Sequence, residues 1–339
     1  MKAVQVQAPA TAGLVDIPDL IKPFGNDVLL RVDLVGMCGT DLTTFRGGNP
    51  MVTFPRILGH EVAATVVAGA TDLPAGTKVT ISPYTHCGSC SSCRRGRFNA
   101  CQNNQTMGVQ RDGAMTEYIS LPRERLYTAN LSSRELCLVE PLTVGAHAAA
   151  RGRVTAQDTV AVFGCGGIGL GAIASAAFRG ANTIAIDMDD RKLEIARKAG
   201  AAHLINTATR DLHNSLAEIT SGLGPDVVIE AIGLPLTFRA AVEEVAFTGR
   251  VVYIGYTKEP VSYETRLFVQ KELDILGSRN ALPEDFRAVI RMLESGKFPV
   301  EDAVSAIIPP TEAARMLAEW SANPAKFTKI IVQMNQFTD

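Results

Sequence analysis

The sequence has almost no net charge of either sign, no internal repeat and no low-complexity tract. Its 33 Lys and Arg are balanced by 35 Asp and Glu, which leaves a formal net charge of −2. Such a balance offers no field to attract nucleic acid or an anionic membrane surface. From Thr159 to Phe178 there is no charged residue, about the length of ~20 residues that a membrane-spanning helix needs. Gly164, Gly166, Gly167, Gly169 and Gly171 interrupt that stretch, and Val160–Phe163 reads as a strand, so a membrane span is not expected. The first ten residues, MKAVQVQAPA, have no apolar signal core, and the expectation is a cytoplasmic protein.

What is present is enough for two folded domains. At roughly 150 residues per domain, 339 residues correspond to about two. A hydrophobic content of 46% with 20% charged residues supplies a sizeable core and excludes global disorder. Seven cysteines occur, at positions 38, 87, 90, 93, 101, 137 and 165. Four of them crowd between Cys87 and Cys101, which in a chain of this kind reads as metal binding rather than disulfide bonding.

The organisation changes along the chain. Up to about residue 140 the pattern is strand-like, with β-branched runs at Lys2–Val6, Val28–Val35, Glu61–Val67 and Lys78–Ser82 separated by Gly and Pro turns. This predicts an irregular, mostly antiparallel β domain. Near Pro141 strand-like runs begin to alternate with helix-length segments. Six strands are predicted, at Thr159–Phe163, Thr183–Asp187, His203–Ile205, Asp226–Glu230, Arg250–Gly255 and Leu273–Gly277. Helical stretches such as Arg191–Ala199 and Leu236–Ala246 lie between them, so a parallel, doubly wound sheet is expected. Beyond Gly277 come a helix (Pro283–Glu294), a short strand (Val304–Ile308), a helix (Thr311–Trp320) and a final strand (Thr328–Val332). This tail is too small for its own core and is expected to pack back on the first domain. The resulting division assigns 1–141 and 278–339 to one domain and 142–277 to an inserted one.

Two motifs carry specific chemistry. Cys87-x2-Cys90-x2-Cys93-x7-Cys101 offers four thiolates, which can close a tetrahedral shell around zinc with no open position, so the site is read as structural. The neighbouring Arg94, Arg95 and Arg97 read as a solvated basic face. Gly164-x-Gly166-x-x-Gly169, directly after a strand and opening a helix, has the context of a dinucleotide-binding turn. Gly164 allows the tight turn, Gly166 the close approach of a pyrophosphate to the helix N-terminus that Gly167 and Ile168 begin, and Gly169 the packing of helix on sheet. Asp187 ends the next strand, where a carboxylate accepts from the adenosine ribose hydroxyls and repels a 2′-phosphate. Lys192 and Arg191 follow it and would favour a phosphate, but the strand-end carboxylate decides, and NAD is expected over NADP.

A third group is dispersed: Cys38 within Gly36-Met37-Cys38-Gly39-Thr40-Asp41, His60 and Glu61 within Gly59-His60-Glu61, and Glu140 before Pro141. Taken alone, a His beside a Glu is more often structural. Taken with the four-cysteine segment and the glycine motif, in this order and spacing, they resemble the zinc-dependent medium-chain alcohol dehydrogenases over essentially the whole chain. Within that family the sequence looks most like the polyol, threonine and sugar-acid dehydrogenases. The segment Gly277–Phe286 (GSRNALPEDF) resembles bacterial dehydrogenases of hexonates such as L-galactonate and L-gulonate.

The resemblance implies an irregular β-rich, GroES-like catalytic domain and a Rossmann domain, two zinc ions per chain, NAD, and a homodimer or homotetramer. It also implies roles by position. Cys38, His60 and Glu140 surround a catalytic zinc, with Glu61 close enough to exchange as a ligand, and Thr40 is the hydroxyl that bonds the substrate oxygen. Two positions depart from the family pattern: Ala64 stands where Gly is usual, and Thr43 where many members have a His that ends a proton relay. Removing hydride from a carbinol carbon requires a hydroxyl of lowered pKa, which a Lewis acid provides. A shell with one thiolate and one carboxylate accepts further oxygen ligands and so suits a vicinal diol. Arg279 and Arg46 are candidate partners for a substrate carboxylate, and a hexonate is the favoured substrate over a neutral polyol. Threonine or a simple secondary alcohol is the alternative within the class. A non-catalytic nucleotide sensor or zinc-ribbon interaction protein is the alternative outside it, but would not need Cys38, His60 and Glu140 together.

Overall fold

The computed structural model describes residues 1–337 apart from positions 21, 24, 26 and 70. The chain forms two compact units, Met1–Glu140 with Val300–Asp339, and Pro141–Pro299.

The first unit is β-rich. Strands β1 (Lys2–Ala8) and β2 (Thr11–Asp16) form a hairpin, and β1 also pairs with β4 (Arg56–Ile57) to complete a small antiparallel sheet. The longest strand, β3 (Val28–Met37), is followed at once by α1 (Gly39–Phe45). Strand β3 is buried over nearly its whole length because it is covered on both edges. It pairs antiparallel with β5 (Glu61–Ala68) on one side, and β6 (Lys78–Ile81) and β8 (Leu126–Thr128) continue the sheet beyond β5. β7 (Tyr118–Leu121) also pairs with β3. A short helix, α2 (Ser91–Arg94), lies in the cysteine-rich segment between β6 and β7. The long helix α3 (Ser133–Arg151) then runs without a break through Pro141, where the first unit ends and the second begins. The change of pattern at Pro141 therefore marks a boundary within one helix, although the ring removes one backbone donor there.

The second unit is the expected doubly wound sheet. Its strands are β9 (Thr159–Phe163), β10 (Asn182–Asp187), β11 (His203–Asn206), β12 (Val227–Glu230), β13 (Arg250–Tyr253) and β14 (Asp274–Gly277). Their spatial order is β11-β10-β9-β12-β13-β14 and every pairing is parallel. The connecting helices are α4 (Gly167–Phe178), α5 (Asp190–Lys198), α6 (Leu212–Thr220), α7 (Pro235–Glu244) and the short α8 (Arg266–Gln270). The order reverses between β9 and β12, and ligands of such sheets bind outside the carboxyl ends of the strands at that point.

Helix α9 (Pro283–Glu294) closes this unit. The sequence expectation placed residues 278–299 with the first domain, and contacts within the second unit group them otherwise. Phe286, Val289, Ile290 and Leu293 make a buried face on α9. The buried Asp285 carboxylate accepts from the Leu282 backbone N–H at 2.8 Å and lies 2.7 Å from His147 Nδ1 on α3. Only the last forty residues return to the first unit. After α10 (Val300–Ala303), β15 (Ala306–Ile308) pairs parallel with β16 (Ile330–Gln333), and α11 (Ala313–Ala322) lies between them. Strand β16 pairs antiparallel with the second edge of β3. Among the described residues no helix is long and apolar enough to cross a membrane.

The His147–Asp285 contact predicts a stability effect. Asp285→Ala removes a helix cap and the buried carboxylate contact of His147, and should lower unfolding free energy by about 2–4 kcal/mol. Asp274→Ala, which removes an exposed ion pair with Arg153, should cost no more than about 0.5 kcal/mol. Urea unfolding of both variants checks the contrast.

Candidate active site

The candidate metal centre is built where β3 and β5 meet. Cys38 follows β3 directly and is the residue before α1. Asp41, in the first turn of α1, accepts the Cys38 backbone N–H at 2.9 Å and fixes the turn. His60 immediately precedes β5, and Glu61 opens it. The register aligns Glu61 with Gly36, two residues before Cys38. One sulfur, one imidazole nitrogen and one carboxylate oxygen of Cys38, His60 and Glu61 lie within 4.8 Å of one another. Thiolate, imidazole and carboxylate are a zinc-type donor set. The buried Nδ1 of His60 has no hydrogen-bond partner, and the nearest carboxylate, Asp41 Oδ1, is 4.0 Å away, too far for a hydrogen bond. A thiol, an imidazole nitrogen and a carboxylate oxygen drawn within 4.8 Å of one another fit a metal site by the chemistry of the donor set.

Two residues that sequence reasoning missed control the carboxylates. Lys329, just before β16, is buried, and its Nζ lies 2.6 Å from each oxygen of Glu61 and 3.3 Å from the Met37 carbonyl. The two partners reach each other across β3, and they can do so because the strand between them carries Gly36 at that level. A Cβ on Gly36 would collide with Glu61 Oε2. Burial opposes the charge on Lys329, but the Glu61 carboxylate together with the Cys38 sulfur outweighs it and holds the ammonium above its ordinary range. The second residue is Tyr84, whose buried hydroxyl donates to Glu140 Oε1. Burial pushes the Glu140 carboxyl above the usual carboxylate range, against the pull of His60. Glu140 thus stands beside the Cys38–His60–Glu61 cluster with a neutral donor on one oxygen, whereas Glu61 is held by a cation on both. Neither partner carries a local sequence signal, because each lies far along the chain from the carboxylate it serves.

The other predicted residues divide clearly. Thr40, on the first turn of α1, has its hydroxyl 3.7 Å from Cys38 Sγ. Thr43 Oγ1 bonds back to the Gly39 carbonyl at 2.9 Å and is spent within the helix. Ala64 is buried within β5, paired with Val79 of β6 and Val32 of β3. Arg46 does not serve as the expected anion contact. Its guanidinium donates to Ser321 Oγ at 3.0 Å and to the Ser321 carbonyl, tying the end of α1 to the last turn of α11. Arg279 is exposed in the second unit, two residues after β14.

The cysteine segment is compact. All four sulfurs lie within 4.8 Å of one another, with Cys90–Cys93, Cys87–Cys101 and Cys90–Cys101 separations of 3.4, 3.6 and 3.9 Å. A Zn–S bond of about 2.3 Å implies tetrahedral edges of about 3.8 Å, so the sulfurs already have the spacing of a four-thiolate shell. Hydrogen bonds from the Ser89 backbone and hydroxyl lower the Cys87 thiol to about 6, and the Ser92 hydroxyl with backbone donors lowers Cys90 to about 5. Burial raises Cys93 to about 11.

In the second unit the glycine motif has the anticipated geometry. Gly164 has φ +96°, which favours glycine, and a Cβ at Gly169 would collide with the Gly164 carbonyl. Gly166 caps α4 and faces open space, and Gly167 and Ile168 form the first turn. Asp187 accepts from the Cys165 and Met188 backbone N–H groups at 2.8 Å and from Asp189 at 3.2 Å. These bonds orient the carboxylate while leaving it acceptor capacity. Asp189 caps α5, on whose first turn Lys192 lies.

The Glu61–Lys329 contact makes a prediction. Removing one partner of a buried ion pair strands the other, so Lys329→Met should destabilise the chain by about 3–5 kcal/mol. The double variant Glu61→Gln/Lys329→Met should recover part of that loss. Chemical unfolding of the two singles and the double checks whether they couple.

Comparison with known proteins agrees with this geometry. The zinc-binding dehydrogenase profile matches residues 167–295 and the alcohol dehydrogenase GroES-like domain profile matches 25–130. An uncharacterized zinc-type alcohol dehydrogenase-like protein of Haemophilus influenzae is 34% identical over 97% of this chain and 98% of its own length. L-galactonate-5-dehydrogenase of Escherichia coli is 32% identical over 82% of this chain and 83% of its own. Among solved structures, the short chain alcohol dehydrogenase rspB of E. coli, complexed with NADH, superposes with TM-score 0.88 at 28% identity, covering 98% of this chain and 99% of that one. A zinc-binding dehydrogenase of Sinorhizobium meliloti bound to NADP gives TM-score 0.88 at 29% identity, with 98% of each chain covered. The chain belongs to the zinc-type alcohol dehydrogenase family of NAD(P)-dependent oxidoreductases.

Proposed function

We propose that the protein oxidises a secondary hydroxyl of a sugar acid or polyol, with a hexonate as the favoured substrate, NAD as the preferred cofactor and two zinc ions per chain. The observation that carries the reading is the convergence of half-buried Cys38 with buried His60 and Glu61, with the Thr40 hydroxyl 3.7 Å from Cys38 Sγ. When bound, zinc supplies Lewis-acid polarisation of a substrate hydroxyl and the nicotinamide accepts the hydride. Cys38 and His60 would hold the metal together with a carboxylate, either Glu61 within the cluster or Glu140 beside it. One oxygen of Glu140 accepts from the Tyr84 phenol, while Lys329 Nζ lies against both oxygens of Glu61. The Thr40 hydroxyl, 3.7 Å from Cys38 Sγ, would accept the proton of the substrate hydroxyl in this reading. With Thr43 engaged in α1, a proton leaving Thr40 must pass to a group other than residue 43.

The cofactor preference rests on Asp187. Its oriented carboxylate is an acceptor for ribose hydroxyls and a repulsive neighbour for a 2′-phosphate. The four-cysteine segment would hold the second zinc in a closed shell, a role in folding rather than turnover. The sugar-acid reading draws on the Gly277–Phe286 segment, on the L-galactonate-oxidising relative and on Arg279, whose guanidinium can pair with a carboxylate. The partners proposed are a small molecule and further copies of this chain. β14 is the last strand of its sheet, its Ile275 is 40% exposed, and Val269 on α8 is 82% exposed.

Two predictions follow the two halves of this proposal. Metal analysis should find two zincs per chain in the wild type. Cys90→Ser should lower soluble yield and zinc content together, because metal binding there is coupled to folding. A stable, fully metal-replete Cys90→Ser protein would refute the structural role. A screen of hexonates, polyols, threonine and simple secondary alcohols should show the fastest turnover with a hexonate, and NAD should outperform NADP at equal subsaturating concentration. Arg279→Ala should lower kcat/KM for the acid by roughly 10- to 150-fold, the value of about 1.5–3 kcal/mol for a charged hydrogen bond, and affect the matching polyol far less. Activity confined to sorbitol or threonine would end the sugar-acid reading.

A further inference from the structure

Glu230 is the last residue of β12 and is completely buried. A carboxylate in that position is costly unless its environment supplies hydrogen bonds. One oxygen, Oε1, is saturated: it accepts from the Ile232 backbone N–H at 2.9 Å, the Gly233 backbone N–H at 2.7 Å and the Thr237 hydroxyl at 2.7 Å. The other oxygen, Oε2, has no hydrogen-bond partner. It occupies the place that a Cβ on Gly255 would need. The Glu230 carbonyl meanwhile accepts the N–H groups of Ile254 and Gly255 at 2.9 and 3.2 Å. One residue therefore shapes both segments that leave the sheet, 231–234 after β12 and 254–256 after β13.

These segments stand at a functional place. β12 pairs with β9 at the point where strand order reverses, and Glu230 is aligned with Phe163, the residue before Gly164. A Cβ on Gly164 would meet Ile232 Cγ1 at 2.8 Å, so the Glu230-held segment packs directly against the phosphate-binding turn. Ile232, Leu234 and Tyr256 on the two segments are 43%, 54% and 76% exposed, an apolar rim that no described side chain covers. In a sheet of this topology the half beginning at β9 takes the adenosine, with Asp187 at its ribose, and the half beginning at β12 takes the second mononucleotide.

We infer that Glu230 is a positioning residue for the nicotinamide half of the dinucleotide: its buried carboxylate holds segment 231–234, against whose Gly233 backbone Gly255 packs, in the shape that receives that half, without touching the cofactor itself. This rests on the NAD(P)-dependent reading of the protein. A residue that merely stabilised the unit would affect both halves of the crevice alike. A positioning residue on β12 separates them.

The test compares the affinities of the full-length protein for NADH and for AMP, measured by calorimetry. Glu230→Ala should weaken NADH binding by about tenfold, equivalent to about 1.4 kcal/mol, and leave AMP binding within about twofold. Glu230→Gln keeps an acceptor for all three donors to Oε1 and should stay within about threefold of wild type for both ligands. Should Glu230→Ala fail to fold, Thr237→Val removes one of the three donors and should weaken NADH about threefold with AMP unchanged. Equal losses for NADH and AMP, no loss for either, or a Gln variant as weak as the Ala variant would each overturn the positioning role. Wild-type protein that binds neither ligand would overturn the dinucleotide reading itself.

Discussion

The candidate site depends on one constraint: a carboxylate buried between strands must be neutralised where it lies. Glu61 meets that constraint through Lys329, which reaches it across β3 over the space left by Gly36. The three strands involved, β5, β3 and β16, come from the beginning and the very end of the sequence, so the pair joins the C-terminal tail to the N-terminal sheet. Cys38 and His60 lie within two residues of the same crossing. Their separation is therefore set by the β3–β5 register, and a one-residue slip would turn one of them to the opposite face. The ion pair and the ligand geometry are consequences of a single pairing.

Three buried carboxylates are held in three different ways. Glu61 is paired with an ammonium, Glu140 accepts a phenolic hydrogen, and Glu230 is held by backbone N–H groups and a threonine hydroxyl. The difference has chemical consequences. A cation on both oxygens, a phenol on one oxygen and a set of backbone amides leave the three carboxylates with different acceptor capacity. The same residue type thus differs in what it can still accept according to what donates to it.

In the second unit, glycine controls the approach of elements at the phosphate-binding turn. Gly164 takes a left-handed conformation, and Gly169 lies so close to the Gly164 carbonyl that no side chain fits. Gly145 on α3 and Gly171 on α4 continue this close packing, each facing the backbone of the other helix. Helix α4 is thereby seated by backbone contact rather than by side chains, which gives a precise position with little conformational freedom.

Much of this was legible in the residues alone, for identifiable reasons. The parallel sheet showed in the alternation of β-branched runs with helix-length segments, because each buried strand must be continuously apolar and each crossover amphipathic. The cysteine segment and the glycine motif were legible because their ligands and turns lie within a few residues of one another, so spacing encodes geometry. Dispersed features were not. Lys329 looks like any lysine before an apolar strand, Tyr84 like any core tyrosine, and Arg46 offered a free cation until α11 supplied Ser321 to bind it. Residues 278–299 read as part of the tail, yet His147 and the buried face of α9 draw them to the sheet. The amino-acid sequence by itself determined the local chemistry, which depends on spacing along the chain. Only the tertiary structure decided which charges are paired and which remain available, because that depends on strand register between segments hundreds of residues apart.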